Sequence, residues 1–104
     1  MWYGVSMLIK GECETRREED LLWGERIVLI HESSEEEAIS TATRIGKESE
    51  CDYETAEGEL IHWRFHSIES ACQIDGNVMG NGVEVFSRFL RDSEAKSLLQ
   101  PFPD

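Results

Sequence analysis

A chain of 104 residues with a 39% hydrophobic fraction has the size and apolar content of one folded domain, which we expect to span residues 1–104. Its 22 acidic and 10 basic residues give a formal net charge of −12. This charge repels phosphate backbones and anionic lipids, so it argues against nucleic acid and membrane surfaces as partners and favours solubility or a basic partner.

Two strands are predicted in the first third of the chain. Side chains alternate over residues 2–10, which places Tyr3 and Val5 on one face and Trp2 on the other. The charged segment 11–20 is expected to form an exposed connection. A second strand follows over residues 22–31, and its centre is apolar on both faces, which favours a central position in the sheet.

A helix is predicted next. Ser34 and Glu37 have the spacing of a capping box, which marks a helix start. Ser33 and Glu36 offer the same spacing one residue earlier. Small and branched side chains then recur at intervals of three and four over residues 38–46. This narrow apolar stripe is typical of a helix that packs closely on a sheet.

The second half of the chain predicts two further strands. After the polar segment 50–59, apolar and basic side chains alternate over residues 61–66, and the alternation then slips, which predicts a bulge near Ser67. Glycine and asparagine dominate residues 75–82 and predict a turn. The fourth strand is expected over residues 83–90.

The expected fold is α+β, with the element order ββαββ. One helix packs on one face of a four-stranded, mainly antiparallel sheet. Residues 92–104 are expected to form a flexible or docking tail, with a short helix over residues 93–99 that ends before Pro101 and Pro103. The second face of the sheet is left to water, to this tail or to a second subunit.

Five segments of this chain resemble one known family. They are Trp2–Val5, Leu22–Leu29, Ser34–Ala38, Trp63–Phe65 and Glu84–Leu90. Together they resemble, over residues 2–91, the bacterial family named domain of unknown function 4288. Gly24, where that family is expected to carry an acidic residue, and the turn at 75–82 depart from its pattern. The resemblance implies a bacterial cytoplasmic protein with this fold, and it implies no activity, cofactor or catalytic residue.

A basic stripe lies on one face of the third predicted strand. It consists of His62, Arg64 and His66. We expect it to complement carboxylates across the sheet, such as Glu25 or Glu84. The alternative is an anion or partner surface, to which His31 would also contribute. Because residues four apart in a strand are rooted about 13 Å apart, the two histidines of the stripe are not expected to share one metal ion.

No residue predicts a catalytic or cofactor site. The three cysteines form no C-x-x-C pair, and Cys51 lies between two acidic residues, which disfavour a reactive thiolate. Ser87 lacks the G-x-S-x-G setting of an exposed nucleophile. The chain shows no signal peptide and no apolar run as long as a membrane span, so we expect a reducing cytoplasm.

Three functions are consistent with these features. The first is a non-enzymatic interaction module, a homodimer joined sheet to sheet, with Trp2 and Trp23 as interface aromatics. The second is an acidic inhibitor or immunity-type protein that binds a basic partner, since residues 32–59 carry ten acidic and two basic residues. Its acidic partner surface is Glu35, Glu36, Glu37, Glu48, Glu50 and Asp52. The third is a small anion-binding protein or enzyme that uses the basic stripe.

Overall fold

Four antiparallel strands form one sheet, and a fourteen-residue helix packs on it. The computed structural model describes residues 1–76 and 80–100. The elements are β1 (Trp2–Glu12), a 3-10 turn (Glu18–Asp20), β2 (Leu22–His31), α1 (Glu35–Glu48), β3 (Cys51–Glu54), β4 (Leu60–Ile74) and α2 (Asp92–Leu99). The α+β class, the four-stranded antiparallel sheet, the single packed helix and the short C-terminal helix predicted from the sequence are confirmed.

The strand order is β2-β1-β4-β3, so β1 and β4 are central and β2 is an edge strand. The prediction that β2 would be central is wrong. Its apolar centre suggested two covered faces, yet Ile27 is 44% exposed and Leu29 is 39% exposed. An apolar run indicates that a strand is buried or paired somewhere, whereas strand order depends on contacts between distant segments that a local pattern does not show.

The core lies between β1 and α1. Tyr3, Val5 and Met7 project toward the helix and are almost fully buried, and so are Ala38 and Ala42 of α1. Burying a side chain of valine or methionine size contributes about 1.5–3 kcal/mol. The sequence stripe over residues 38–46 is therefore the packed face of the helix.

Gly46 sets how closely α1 approaches the sheet. A Cβ atom at this position would lie 2.4 Å from Cδ2 of Phe65 and 3.1 Å from the sulfur of Met7. The absence of a side chain thus lets the last turn of the helix rest directly on β4 and β1. At its other end, α1 begins as predicted, since the Ser34 hydroxyl accepts a hydrogen bond of 3.2 Å from the backbone N–H of Glu37.

Two register shifts interrupt the pairing of β1 with β4. They lie between Ser6 and Met7 and between Leu8 and Ile9 of β1. Each inserts one unpaired residue in β4, so Phe65, Ile68 and Ala71 all pack against the core at intervals of three. The bulge predicted near Ser67 is confirmed, and it explains the slip in the apolar pattern.

Strand β3 falls within the segment 50–59, for which the sequence predicted no strand. All four residues of Cys51–Glu54 are exposed, and β3 pairs with β4 through a tight turn in which Gly58 has a φ of 84°. An edge strand that buries no side chain has no apolar pattern, so the sequence could not indicate it.

Residues 83–90 are not a strand, which corrects the predicted fourth strand. Together with Arg91 they form an extended segment, here called the crossing segment, which lies across the face opposite α1. A Cβ atom on Gly4 would lie only 1.7 Å from the carbonyl oxygen of Val85, and Cys72 Sγ donates to the Ser87 carbonyl at 3.4 Å. These contacts with the sheet are made by backbone carbonyls, whereas Val85, Phe89 and Leu90 are 39%, 105% and 39% exposed, so the apolar alternation corresponds neither to a strand nor to a buried face. Residues 77–79 of the predicted turn lie outside the described residues.

Helix α2 follows the crossing segment, as the sequence predicted. Within residues 1–76 and 80–100, it packs against no other helix or strand, and Leu98 and Leu99 are exposed. The predicted stop at Pro101 and Pro103 lies outside the described residues. No helix in the described part of the chain is long and apolar enough to cross a membrane.

Candidate functional site

The outer edge of β2 is the first candidate site. All ten residues of β2 pair with β1 on the inner side, from Leu22 with Gly11 to His31 with Trp2, without a register shift. On the outer side, no other strand of the described residues pairs with it. A regular ten-residue edge, about 34 Å long at 3.4 Å per residue, therefore presents backbone donors and acceptors to a further strand.

The opposite edge of the sheet, formed by β3, differs in each of these respects. It has four residues, two of them the acidic Asp52 and Glu54, and all four side chains are exposed. Short length and edge charge are the usual protections against unwanted strand pairing. Beyond β3 this side of the sheet continues as the outer side of β4 over residues 64–74, which no described strand pairs either, and two register shifts interrupt the strand there. Because bulges disfavour strand addition, β2 is the long edge of the described sheet that has no interruption.

Apolar side chains extend from the β2 edge onto the face opposite α1. Ile27 and Leu29 project from this face of β2, and both predicted interface aromatics lie on the same face. The Trp2 ring stacks on His31 with 4.6 Å between centroids, and Trp23 meets His66 edge to face at 4.8 Å. Both tryptophans remain more than one third exposed, so they are available for contact with another molecule.

The crossing segment is held on this face by an ion pair with β2. Arg88 Nη1 lies 3.0 Å from Oε2 of Glu25, and the Ser6 hydroxyl donates to the same oxygen at 3.0 Å. Ser6 is fully buried, so Glu25 satisfies a buried hydroxyl as well as the arginine. The sequence suggested Glu25 as a partner of the basic stripe, whereas the structure pairs it with Arg88.

The basic stripe is neutralised locally by Asp52 of β3. Oδ1 of Asp52 lies 2.8 Å from Nδ1 of His62 and 3.0 Å from Nη2 of Arg64. The hydrogen bond with His62 and then that with Arg64 lower the pKa of the Asp52 carboxyl. Across-sheet complementation of the stripe by a carboxylate is therefore present, through Asp52 rather than Glu25 or Glu84.

The four residues proposed as an anion or partner surface do not form one site. His62 and Arg64 share Asp52, while His66 is exposed and its Nδ1 lies 2.9 Å from the Ser67 hydroxyl. His31 stacks on Trp2 at the far end of the sheet, since His31 pairs with Trp2 whereas His62 pairs with Glu12, ten residues along β1. That separation corresponds to about 34 Å of strand.

The six acidic residues proposed as a partner surface are also divided. Glu35, Glu36 and Glu37 occupy the first turn of α1, and Glu48 ends the same helix, about 20 Å away. Glu48 pairs with Arg44 at 3.2 Å, and Glu50 accepts a hydrogen bond of 2.9 Å from the backbone N–H of Phe65. Asp52 pairs with His62 and Arg64 of the basic stripe. Only the first turn of α1 remains as a compact acidic group.

A cluster around Glu59 was not found from the sequence. Arg16 donates to both carboxylate oxygens of Glu59 at 2.9 and 3.1 Å, Thr15 donates at 2.8 Å, and the Cys13 thiol lies 3.7 Å away. The hydrogen bonds from Arg16 and then Thr15 lower the pKa of Glu59 to about 2. The partners lie more than forty residues apart in sequence, with no spacing signal to connect them.

The Glu59 cluster joins the loop after β1 to the turn between β3 and β4. A cleft of about 240 Å³ lies beside it, lined by Cys13, Glu14, Thr15 and His62 among others. Because a carboxyl with a pKa of about 2 is a weak general base, Glu59 is suited to hold the two loops together rather than to take a proton from Cys13. In the part of the chain that the structure describes, no three His, Cys, Asp or Glu residues are grouped to hold a metal ion.

One comparison with known proteins identifies a family. The model of the family described as Domain of unknown function (DUF4288) matches residues 2–87, which include the four strands, α1 and the crossing segment as far as Ser87. No curated protein matches the chain, and no solved structure matches it. Since the family model covers most of the 104 residues, the chain belongs to the DUF4288 family.

Proposed function

We propose that the protein is a small non-enzymatic interaction module of the bacterial cytoplasm, and that it forms a homodimer through the outer edge of β2. The observation that carries this proposal is the contrast between the two sheet edges. The side opposite β2 consists of the short, acidic β3 and then of the outer side of β4, which two bulges interrupt, whereas the β2 edge is long, regular and apolar. A long, regular and apolar edge such as that of β2 favours the addition of another strand.

The charge along β2 favours a second copy as the added strand. Glu25 and Arg26 are its only Asp, Glu, Lys or Arg residues, so the strand is formally neutral within a chain of net charge −12. Two copies of so acidic a protein repel each other over most of their surfaces. Contact along β2 brings them together where the local charge is balanced.

Pairing of the two edges is favoured over the sheet-to-sheet dimer expected from the sequence. The crossing segment lies over Gly4 and Cys72 of the two central strands and reaches Glu25 of β2, so it covers part of the face that such a dimer would bury. The edge of β2 lies beside that covered area. Edge pairing would also bring Ile27 and Leu29 of both copies together on this face.

Sedimentation of matched variants tests the dimer. Leu29→Lys places a charge on the β2 edge, and Tyr53→Lys places the same charge on an exposed residue of the β3 edge. If losing the apolar contact costs about 1 kcal/mol in each subunit, Leu29→Lys raises the Kd of the dimer more than tenfold. The Tyr53→Lys protein should dimerise like the wild type. A wild type that stays monomeric at high micromolar concentration would refute the proposal.

An acidic inhibitor of a basic protein is the second candidate function. The observation in its favour is the exposed first turn of α1, which carries Glu35, Glu36 and Glu37 together. Binding of a basic protein through this turn would weaken steeply with added salt. Pairing along the neutral β2 strand would not, so the salt dependence separates the two functions. The basic stripe supports anion binding least, because Asp52 already occupies it.

A further inference from the structure

We infer that two copies pair antiparallel along β2 about a two-fold axis at Val28, so that Val28 faces its own counterpart. This inference rests on the proposed homodimer and specifies its geometry. A two-fold interface is isologous, which means that if one residue faces another, the second also faces the first. The register of such a pair is therefore fixed by naming the residue on the axis.

The faces of the sheet limit the choice of axis. Residues directly opposite in an antiparallel pair project on the same face, and odd-numbered residues of β2 project away from α1. An odd-numbered residue must then face an odd-numbered residue of the partner subunit. One residue therefore lies on the axis and faces its own counterpart. The candidates are Glu25, Arg26, Ile27 and Val28, the four residues nearest the middle of the strand, and Leu29, the next apolar residue.

Charge removes Glu25 and Arg26 and disfavours Ile27. An axis at Glu25 sets two carboxylates directly opposite each other. An axis at Arg26 sets two guanidinium groups directly opposite each other, and like charges in that position destabilise a sheet. With the axis at Ile27, Glu25 would face Leu29 of the partner subunit, which sets a carboxylate against an apolar side chain. That mismatch occurs twice, because the axis repeats it.

An axis at Val28 sets compatible side chains opposite each other on the face opposite α1. Ile27 then faces the partner's Leu29, and Glu25, which also pairs with Arg88 of its own subunit, faces the partner's His31, each contact occurring twice. On the α1 side Val28, which packs against the core, meets its own counterpart. An axis at Leu29 would set Ile27 against the partner's His31 and pair a shorter part of the strand. Arg26 faces the partner's Ile30 in the Val28 register and the partner's Val28 in the Ile27 register, so this mismatch does not separate the two. The Val28 register is the one of these two that avoids setting Glu25 against the partner's Leu29.

Single cysteines identify the residue on the axis. Each variant carries Cys51→Ser and Cys72→Ser, and one of Ile27→Cys, Val28→Cys or Leu29→Cys is added. Residues directly opposite each other have Cα atoms about 4.5–5.5 Å apart, which is within the range of a disulfide. Residues offset by two positions along the paired strands lie about 7–8 Å apart, which is too far. The control is the Cys51→Ser, Cys72→Ser protein without an added cysteine. It should not cross-link, because its remaining cysteine, Cys13, is buried.

The expected result is a disulfide-linked dimer of Val28→Cys under mild oxidation and little for the other two. Cross-linking of Ile27→Cys or Leu29→Cys instead would overturn the register and leave the dimer through β2 standing. A dimer in sedimentation with no cross-link from any of the three would overturn the Val28 register together with the axes at Ile27 and Leu29. A monomer throughout would overturn the homodimer itself.

A charge change at position 31 provides a second readout that needs no disulfide. His31→Glu sets a carboxylate against Glu25 of the partner subunit at both ends of the interface, which should raise the dimer Kd about tenfold. His31→Lys is the matched control and should dimerise at least as well as the wild type. Equal effects of the two substitutions would contradict the pairing of His31 with the partner's Glu25.

Discussion

Arg88 of the crossing segment and Glu25 of β2 lie 3.0 Å apart and join the end of the family-matched region to the edge strand. Both side chains are about 70% buried, and Glu25 also accepts a hydrogen bond from the hydroxyl of the buried Ser6. The pair thus connects the interior of β1, the edge of the sheet and the segment that covers its second face. Its removal should release the crossing segment before it unfolds the sheet.

Arg88→Gln tests that role. Losing a half-buried, hydrogen-bonded ion pair should lower the free energy of unfolding by about 1 kcal/mol and speed proteolysis within residues 83–91. The control is Arg44→Gln, which breaks the exposed pair with Glu48 on α1 and should cost no more than about 0.5 kcal/mol. Equal urea midpoints and equal cleavage rates for the two variants would show that Arg88 does not hold the segment.

Gly4→Ala should displace the crossing segment sterically. The new methyl group would lie 1.7 Å from the carbonyl oxygen of Val85, so the backbone there must move away. Far-UV circular dichroism should show the sheet retained, while amide hydrogen exchange within residues 83–91 becomes faster. Unchanged exchange in that segment would mean that it does not rest on Gly4.

Gly46→Ala should destabilise the protein although alanine favours helices. Alanine gains about 1 kcal/mol over glycine inside a helix, but its Cβ would lie 2.4 Å from the ring of Phe65. Overpacking of this kind costs about 1–3 kcal/mol, so the net change is a loss or at best no gain. Ser40→Ala, at an exposed position of α1, is the control and should be neutral or slightly stabilising. A clear rise in stability of Gly46→Ala would contradict the close helix packing.

The Glu59 cluster predicts a specific pH dependence. Its hydrogen bonds lower the pKa of Glu59 from the ordinary 4.5 to about 2, so folding favours the ionised carboxylate. The resulting stabilisation is complete above the unfolded pKa and is lost as the pH falls toward 2. Glu59→Gln should therefore be less stable than the wild type at neutral pH, and the difference should shrink between pH 4.5 and pH 2.

Urea unfolding at a series of pH values measures this difference. Glu57→Gln changes an exposed acid in the same turn and should show no comparable loss at neutral pH. A constant difference between Glu59→Gln and the wild type across the acidic range would contradict the role assigned to Glu59.

Local features of the fold could be predicted from the sequence. The spacing of Ser34 and Glu37 indicated the N-cap of α1, although only the bond from the Glu37 N–H to the Ser34 hydroxyl forms, and the slip in the apolar pattern indicated the bulge near Ser67. Both signals arise within a few neighbouring residues. The pairing of Glu25 with Arg88 and the cluster of Arg16 with Glu59 join distant positions, and no periodicity or spacing connects such positions before the chain folds.

The position of β2 at the edge of the sheet is the feature most relevant to function that the sequence pattern did not show. The run Ile27–Ile30 predicted a strand but suggested burial in the middle of the sheet, whereas the structure places it at an edge. An apolar strand at the edge of a sheet and one in its middle have the same sequence pattern. The pattern shows that the side chains favour burial, but it does not show which element buries them. If β2 gains a partner strand in the dimer, the sequence pattern and the structure agree.

Amide hydrogen exchange along β2, followed as a function of protein concentration, tests the dimer most directly. Backbone N–H groups of β2 that point away from β1 should exchange fast in dilute protein and slowly at concentrations where the dimer forms. Amides of the central strand β1 should stay protected throughout and serve as the internal reference. Outward amides of β2 that exchange fast at every concentration would contradict a dimer formed through this edge.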